Sequence, residues 1–113
     1  MTLPSNLNAL IKQLDNELDN LEGELSESIE IVRFKINSFP KNMMLIQLFA
    51  TLNNYALFAE NTRKRIQETV KYSSSKSLSD EELQEVGEDL SEQLGRILEA
   101  KIIVNTIKRR LSE

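Results

Sequence analysis

Leu7, Ile11, Leu14, Leu18, Leu21 and Leu25 recur at spacings of four, three, four, three and four residues. An apolar residue every 3.5 positions on average forms a single seam along an α-helix, and such a helix must bury that seam against other helices. No strand of alternating polarity satisfies the same pattern. The series goes on through Ile29, Val32, Ile36 and Phe39. Its two consecutive steps of four at Leu25 predict a stutter that locally unwinds the supercoil. Pro4 suits a helix start, and Pro40 disfavours a helical Phe39 while being acceptable in a first turn. A first helix over about 5–37 and a second over about 40–72 follow.

The second helix carries the most apolar run in the chain, MMLIQLFATLNNYALFA, residues 43–59. At 100° per residue Leu45, Leu48, Phe49, Leu52, Tyr55, Ala56 and Ala59 share one face, continued by Ile66 and Val70. Met43, Ile46, Ala50 and Leu57 fall on another side, with Asn53 filling the gap in the series. A helix facing only its own neighbours needs one stripe, so the second is the candidate partner interface.

Residues 73–78, opening with Ser73, Ser74 and Ser75, read as a flexible linker. Ser79 and Glu82 then form the sequence signature of a capping box, with Leu78 and Leu83 placed for a hydrophobic staple. A third helix over about 80–112 repeats Leu83, Leu90, Ile97, Val104 and Leu111 at every seventh residue, with Val86, Leu94, Ala100 and Ile107 between. The expected fold is all-α: an up-down-up three-helix antiparallel bundle or coiled coil, one domain over 1–113, with helices of roughly 50 Å. The seam of the first helix reads the same whether that helix packs on its own chain or crosses to another.

Equal helices folded about residues 39 and 76 place Leu14 near residues 64 and 88, Gly23 near Tyr55 and Ile97, and Phe34 near Met44 and Lys108. The acidic run Asp15, Glu17, Asp19, Glu22 and Glu24 then overlaps Arg63, Lys64 and Arg65, which Glu81, Glu82, Glu85, Glu88 and Asp89 approach from the other side. All three glycines lie within helices. Gly23 and Gly95 are expected to make room for Tyr55 and Phe58, and Gly87 to permit a close helix approach.

The chain has no Cys and no His. Disulfides, thiolate nucleophiles, imidazole bases and the common zinc, haem and di-iron ligand sets are therefore excluded. Glu82, Glu85, Glu88, Asp89 and Glu92 resemble half of the metal-binding helices of all-α nucleotide pyrophosphohydrolases. The Glu-x-x-Asp half has no counterpart, since Glu99 is followed by Lys101 and apolar residues, so a solvated acidic face accounts for the cluster. No catalytic residue, cofactor or metal site is expected, and the chain is read as non-enzymatic.

Arg33, Lys35 and Lys41, with Lys101, Lys108, Arg109 and Arg110, are expected at one pole, seven cations against Glu30, Glu99 and Glu113. Of these Arg33, Lys35, Lys41, Lys108, Arg109 and Arg110 are the candidate anion contacts, toward nucleic acid, an anionic membrane or an acidic partner. A formal net charge of -4 and the absence of an aromatic stacking platform argue against a dedicated nucleic-acid binder. The N-terminus lacks the pattern of a signal peptide and the central run is too polar to cross a bilayer, so an intracellular, cytoplasmic protein is expected. Helix packing with a protein partner, itself or a helical subunit of a larger assembly, is the expected function.

Overall fold

The computed structural model describes residues 3–113, and among them the only regular elements are three α-helices: α1 Ser5–Ser38, α2 Met43–Ser75 and α3 Asp80–Ser112. They form an up-down-up bundle 57 Å long and under 20 Å across. α1 is the central element: it packs along both α2 and α3 on its own chain, and these two touch each other less extensively. No helix is long and apolar enough to cross a membrane among the described residues.

The helix ends follow from local hydrogen bonding. α2 begins at Met43, three residues later than Pro40 suggests. The Phe39 amide still donates to Lys35 O at 2.9 Å, and the Asn42 amide donates to Phe39 O at 3.1 Å, so Pro40 and Lys41 belong to a closed turn. Asn42 is the N-cap, its side-chain oxygen accepting from the Leu45 amide at 3.1 Å. At the other end α2 runs on to Ser75 because Ser73 is buried, its hydroxyl donating to Thr69 O at 2.7 Å. The linker is thereby reduced to residues 76–79. α3 opens as expected: the Ser79 hydroxyl accepts from the Glu82 amide at 3.2 Å and the Glu82 carboxylate from the Ser79 amide at 3.1 Å. That second bond leads the effects holding the Glu82 carboxyl below its ordinary range.

The core runs the length of the bundle, through Leu14, Leu18, Leu21, Leu25 and Val32 of α1, Leu52, Ala59 and Ile66 of α2, and Leu90, Ile97, Ala100 and Val104 of α3. Four polar residues share it. Ser28, Thr62, Ser73 and Gln93 are all buried. Ser28 removes the expected stutter: Leu14, Leu18, Leu21, Leu25, Ser28 and Val32 keep the alternating steps of four and three unbroken, while Ile29 is only half-buried. Its hydroxyl donates to Glu24 O at 2.7 Å, which lets a small polar residue occupy an inward position. Gln93 likewise takes the inward position that the apolar pattern assigns to Leu94, which is half-buried. Phe39 lies outside the seam altogether, exposed in the turn.

The axial register of α1 and α3 differs from the equal-helix expectation. Residues 74 apart were expected side by side, but Leu7 Cδ2 lies 3.4 Å from where a Cβ on Gly87 would project, a separation of 80. Ion pairs join residues 84 apart, Glu17 to Lys101 and Glu24 to Lys108. Helical side chains lean toward the N-terminus, and a lysine stem leans further than a glutamate, so lysines here meet carboxylates nearer the start of the parallel helix. Gly87 fits its expected role at a close approach. Gly23 and Gly95 do not: both are exposed with nothing within 4 Å of an added Cβ, so neither accommodates an aromatic ring.

Candidate functional site

The outward face of α2 is unlike those of its neighbours. Leu45, Leu52, Ala59 and Ile66 turn inward at seven-residue intervals, which fixes the opposite side of the helix toward solvent. Met43, Ile46, Ala50 and Leu57 fall on that side, and the structure exposes all four, Met43 to 66%, Ile46 to 40% and Leu57 to 56%. From Asn42 to Ala59 α2 and its cap carry no charged residue. The solvent faces of α1 and α3, by contrast, carry Lys12, Glu27, Glu30, Glu81, Glu88, Glu99 and Arg110, all exposed. Solvated helix faces are normally charged, so an uncharged outer face over nearly five turns, apolar at Met43, Ile46, Ala50 and Leu57 and polar at Gln47, Asn53 and Asn54, departs from the rule. Asn53 lies within the stripe and returns its amide to its own helix, donating to Phe49 O at 3.0 Å.

Apolar side chains are also exposed near the α1–α2 turn. Phe34, Phe39 and Met44 are exposed to 74%, 62% and 65%. Phe34 and Met44 stand off the spacing that defines a stripe, whereas the α1 series places Phe39 in the seam. The signal available in the sequence was the absence of charge after Lys41. On α3, Leu98, Ile102 and Ile103 also remain exposed.

The basic pole assembles only in part. Arg33 stacks on Phe49, its guanidinium carbon 5.7 Å from the ring centroid, and Lys35 is half-buried. Lys41, Arg109 and Arg110 are exposed. Lys108 is engaged within the chain: its ammonium donates to Glu27 and, at 3.0 Å, to Glu24, and those hydrogen bonds raise its pKa above the ordinary lysine value. Lys101 donates to Glu17 at 2.9 Å. The register that brings Glu17, Glu24 and Glu27 up to these lysines leaves seven cations facing six carboxylates, an excess of one positive charge. Lys108 thus ties α1 to α3.

Nearer the middle of the bundle the expected charge matching is present. Arg63 donates to Asp19 at 2.8 Å and to Glu22 through Nε at 3.0 Å, and the Glu22 bond is the largest of the effects holding its guanidinium protonated. Arg65 donates to Asp89 at 2.7 Å, tying α2 to α3. Lys64 instead pairs within α2 with Glu60 at 3.4 Å. These exposed pairs each contribute about 0–1 kcal/mol, but they favour the antiparallel register over its alternatives. Comparison with protein-family models, with curated proteins and with solved structures returns no match to this chain.

Proposed function

We propose that this chain is a non-enzymatic helical interaction module, a structural or adaptor subunit that assembles by helix packing through the outward face of α2. The observation that carries the reading is the charge-free run Asn42–Ala59 with Met43, Ile46 and Leu57 exposed along one side of it. Apolar side chains repeated on one helical face lose more water on docking than scattered ones do. Each buried methylene contributes about 0.8 kcal/mol. A rigid bundle also presents the face already ordered, so docking does not bear the entropy of folding it. Burying Met43, Ile46 and Leu57 under a second helix is ordinary ridge-into-groove packing, with Ala50 letting the helix axes approach.

The reading is tested by recovery of tagged protein from its native source, comparing wild type with L57E and M43E. Co-purifying proteins should be lost in both variants while the helical circular dichroism is unchanged. Equal recovery would refute a role for this face.

The alternative, anion contact at the basic pole through Arg33, Lys35, Lys41, Lys108, Arg109 and Arg110, has less support. Lys108 is held by two carboxylates and Arg33 by an aromatic ring. Binding to DNA or anionic vesicles that falls steeply with salt would favour it.

A further inference from the structure

We infer that the end of the bundle closed by the α1–α2 turn inserts into the surface of an anionic lipid bilayer. This surface is distinct from the outer α2 face, whose Leu57 stands roughly 21 Å along the helix from Met43 at 1.5 Å per residue. Four large apolar side chains, Phe34, Phe39, Met43 and Met44, are exposed at this end. Phe34 is four residues short of the end of α1 and Met44 is the second residue of α2, so all four lie within roughly 6 Å of the end along the helix axes. They point in different directions. Phe34 follows the buried Val32 by two residues and Met43 precedes the buried Leu45 by two, which sets each about 200° round its helix from the core, and Met44 stands about 100° from Leu45. No single partner helix meets side chains arranged around a convex end, whereas a fluid bilayer entered end-on surrounds them all. The Phe39 amide donates to Lys35 O and the Asn42 amide to Phe39 O, so the closed turn presents the Phe39 ring already ordered.

The charges at this end select an anionic bilayer. From Ile31 to Ala59 the chain holds Arg33, Lys35 and Lys41 and no Asp or Glu, although 18 acidic residues occur in the whole sequence. None of the three cations is ion-paired among the described residues, and Arg33, over the Phe49 ring, keeps its charge. Lysine and arginine stems lie along apolar surface while their charged heads reach outward, which places these heads at the level of lipid phosphates when the rings enter the acyl boundary. The opposite end has the reverse sign: α3 opens on Asp80, Glu81, Glu82 and Glu85, against Lys71 and Lys76. An anionic surface therefore attracts one end of the bundle and repels the other, turning its 57 Å axis toward the bilayer normal.

Purified full-length protein should co-sediment with vesicles of phosphatidylcholine containing about 30% phosphatidylserine, and about tenfold or more less tightly with phosphatidylcholine alone. The chain has no tryptophan. F39W therefore supplies a single reporter, whose emission should shift to the blue on binding and be quenched by lipids brominated in the upper acyl chain. Y72W, at the far end, should show neither change. F34S and F39S combined should weaken binding by about a hundredfold, and K41Q by about fivefold, both with unchanged helical circular dichroism. L57E should bind these vesicles as wild type does.

Absence of binding to the phosphatidylserine vesicles at low salt would overturn the inference. Binding that leaves F39W unshifted, or that the paired serine substitutions do not weaken, would overturn it too, because either marks contact through charge alone. Equal shifts in F39W and Y72W would overturn end-on entry. Loss of co-purifying proteins in L57E with vesicle binding intact supports two separate surfaces, whereas loss of vesicle binding in L57E would overturn the assignment of the lipid contact to the end of the bundle.

Discussion

Replacing Gln93 with leucine should stabilise the bundle. Gln93 occupies an inward position of α3 between Leu90 and Ile97, is 2% exposed, and its side-chain amide nitrogen has no hydrogen-bond partner. The ion pair between Arg65 and Asp89 sets the local register of α2 and α3, which places Thr62, also buried, at about the level of Gln93. No hydrogen bond joins them among the described residues, so the Gln93 amide nitrogen stands in the core without a protein partner. A buried donor left in that condition costs about 1–3 kcal/mol. Leucine removes the polar group and keeps most of the volume, so the gain should approach that range. At about 2.1 cal/mol/K per residue, unfolding a chain of 113 residues carries an entropy near 0.24 kcal/mol/K, and each kcal/mol corresponds to about 4 °C in Tm. Q93L should therefore melt roughly 4–12 °C higher than wild type by circular dichroism at 222 nm. Its urea midpoint should rise with an unchanged m-value, which marks a change in stability rather than in the unfolded state. Q93A separates the two contributions, since it removes the amide but leaves a cavity and should gain less than Q93L or lose stability. A Q93L protein less stable than wild type by 1 kcal/mol or more would refute the reasoning, because it would mean that the amide is satisfied and contributes to the core.

Three further outcomes follow from the same geometry. G23A and G95A should each stabilise by about 1 kcal/mol in urea unfolding, since both sites are helical and open around an added Cβ; a loss at either would indicate a contact that the isolated chain lacks. L52A should destabilise by about 2–5 kcal/mol, because Leu52 is fully buried beside both other helices, whereas L57A on the outer face should change monomer stability by no more than about 0.5 kcal/mol. The capping box gives a pH dependence: the folded Glu82 carboxyl lies below its ordinary value of 4.5, so its contribution is complete above about pH 4.5 and is lost as pH falls through the lower folded value. Amide protection factors in the first turn of α3, corrected for the intrinsic pH dependence of exchange, should fall over that acid range in wild type, and S79A should be less protected at neutral pH and show less acid dependence.

The three helices and their order were legible because apolar periodicity, the Asn-Ser-Phe-Pro break and the capping box are local signals. Most polar members of the core were not. Ser28, Ser73 and Gln93 stand at inward positions that a hydrophobicity pattern passes over, and that omission is what suggested a stutter at Leu25 and a linker beginning at Ser73. Ser28 and Ser73 could have been recovered from their capacity to donate to the carbonyl four residues back, as both do. Gln93 has no such local partner, and only its place in the heptad marks it.

The outer stripe of α2 was also visible in the sequence, since a helix has two sides and Met43, Ile46, Ala50 and Leu57 could not share the one that holds Leu52. Its isolation depended on the bundle being three helices and no more, so that nothing within the chain covers it. The basic pole shows the converse. Composition places Lys101 and Lys108 toward one end, but whether they face a ligand or a carboxylate depends on the axial offset of α1 against α3. That offset is set by side-chain interlocking such as Leu7 against Gly87, a long-range contact that no local pattern encodes. The sequence by itself determined the elements and their amphipathic faces, because propensity, capping and periodicity act over a few residues. Tertiary structure alone decided the register, and with it which charges are neutralised and which apolar side chains stay in water, because those depend on residues 24 to 84 positions apart meeting in space.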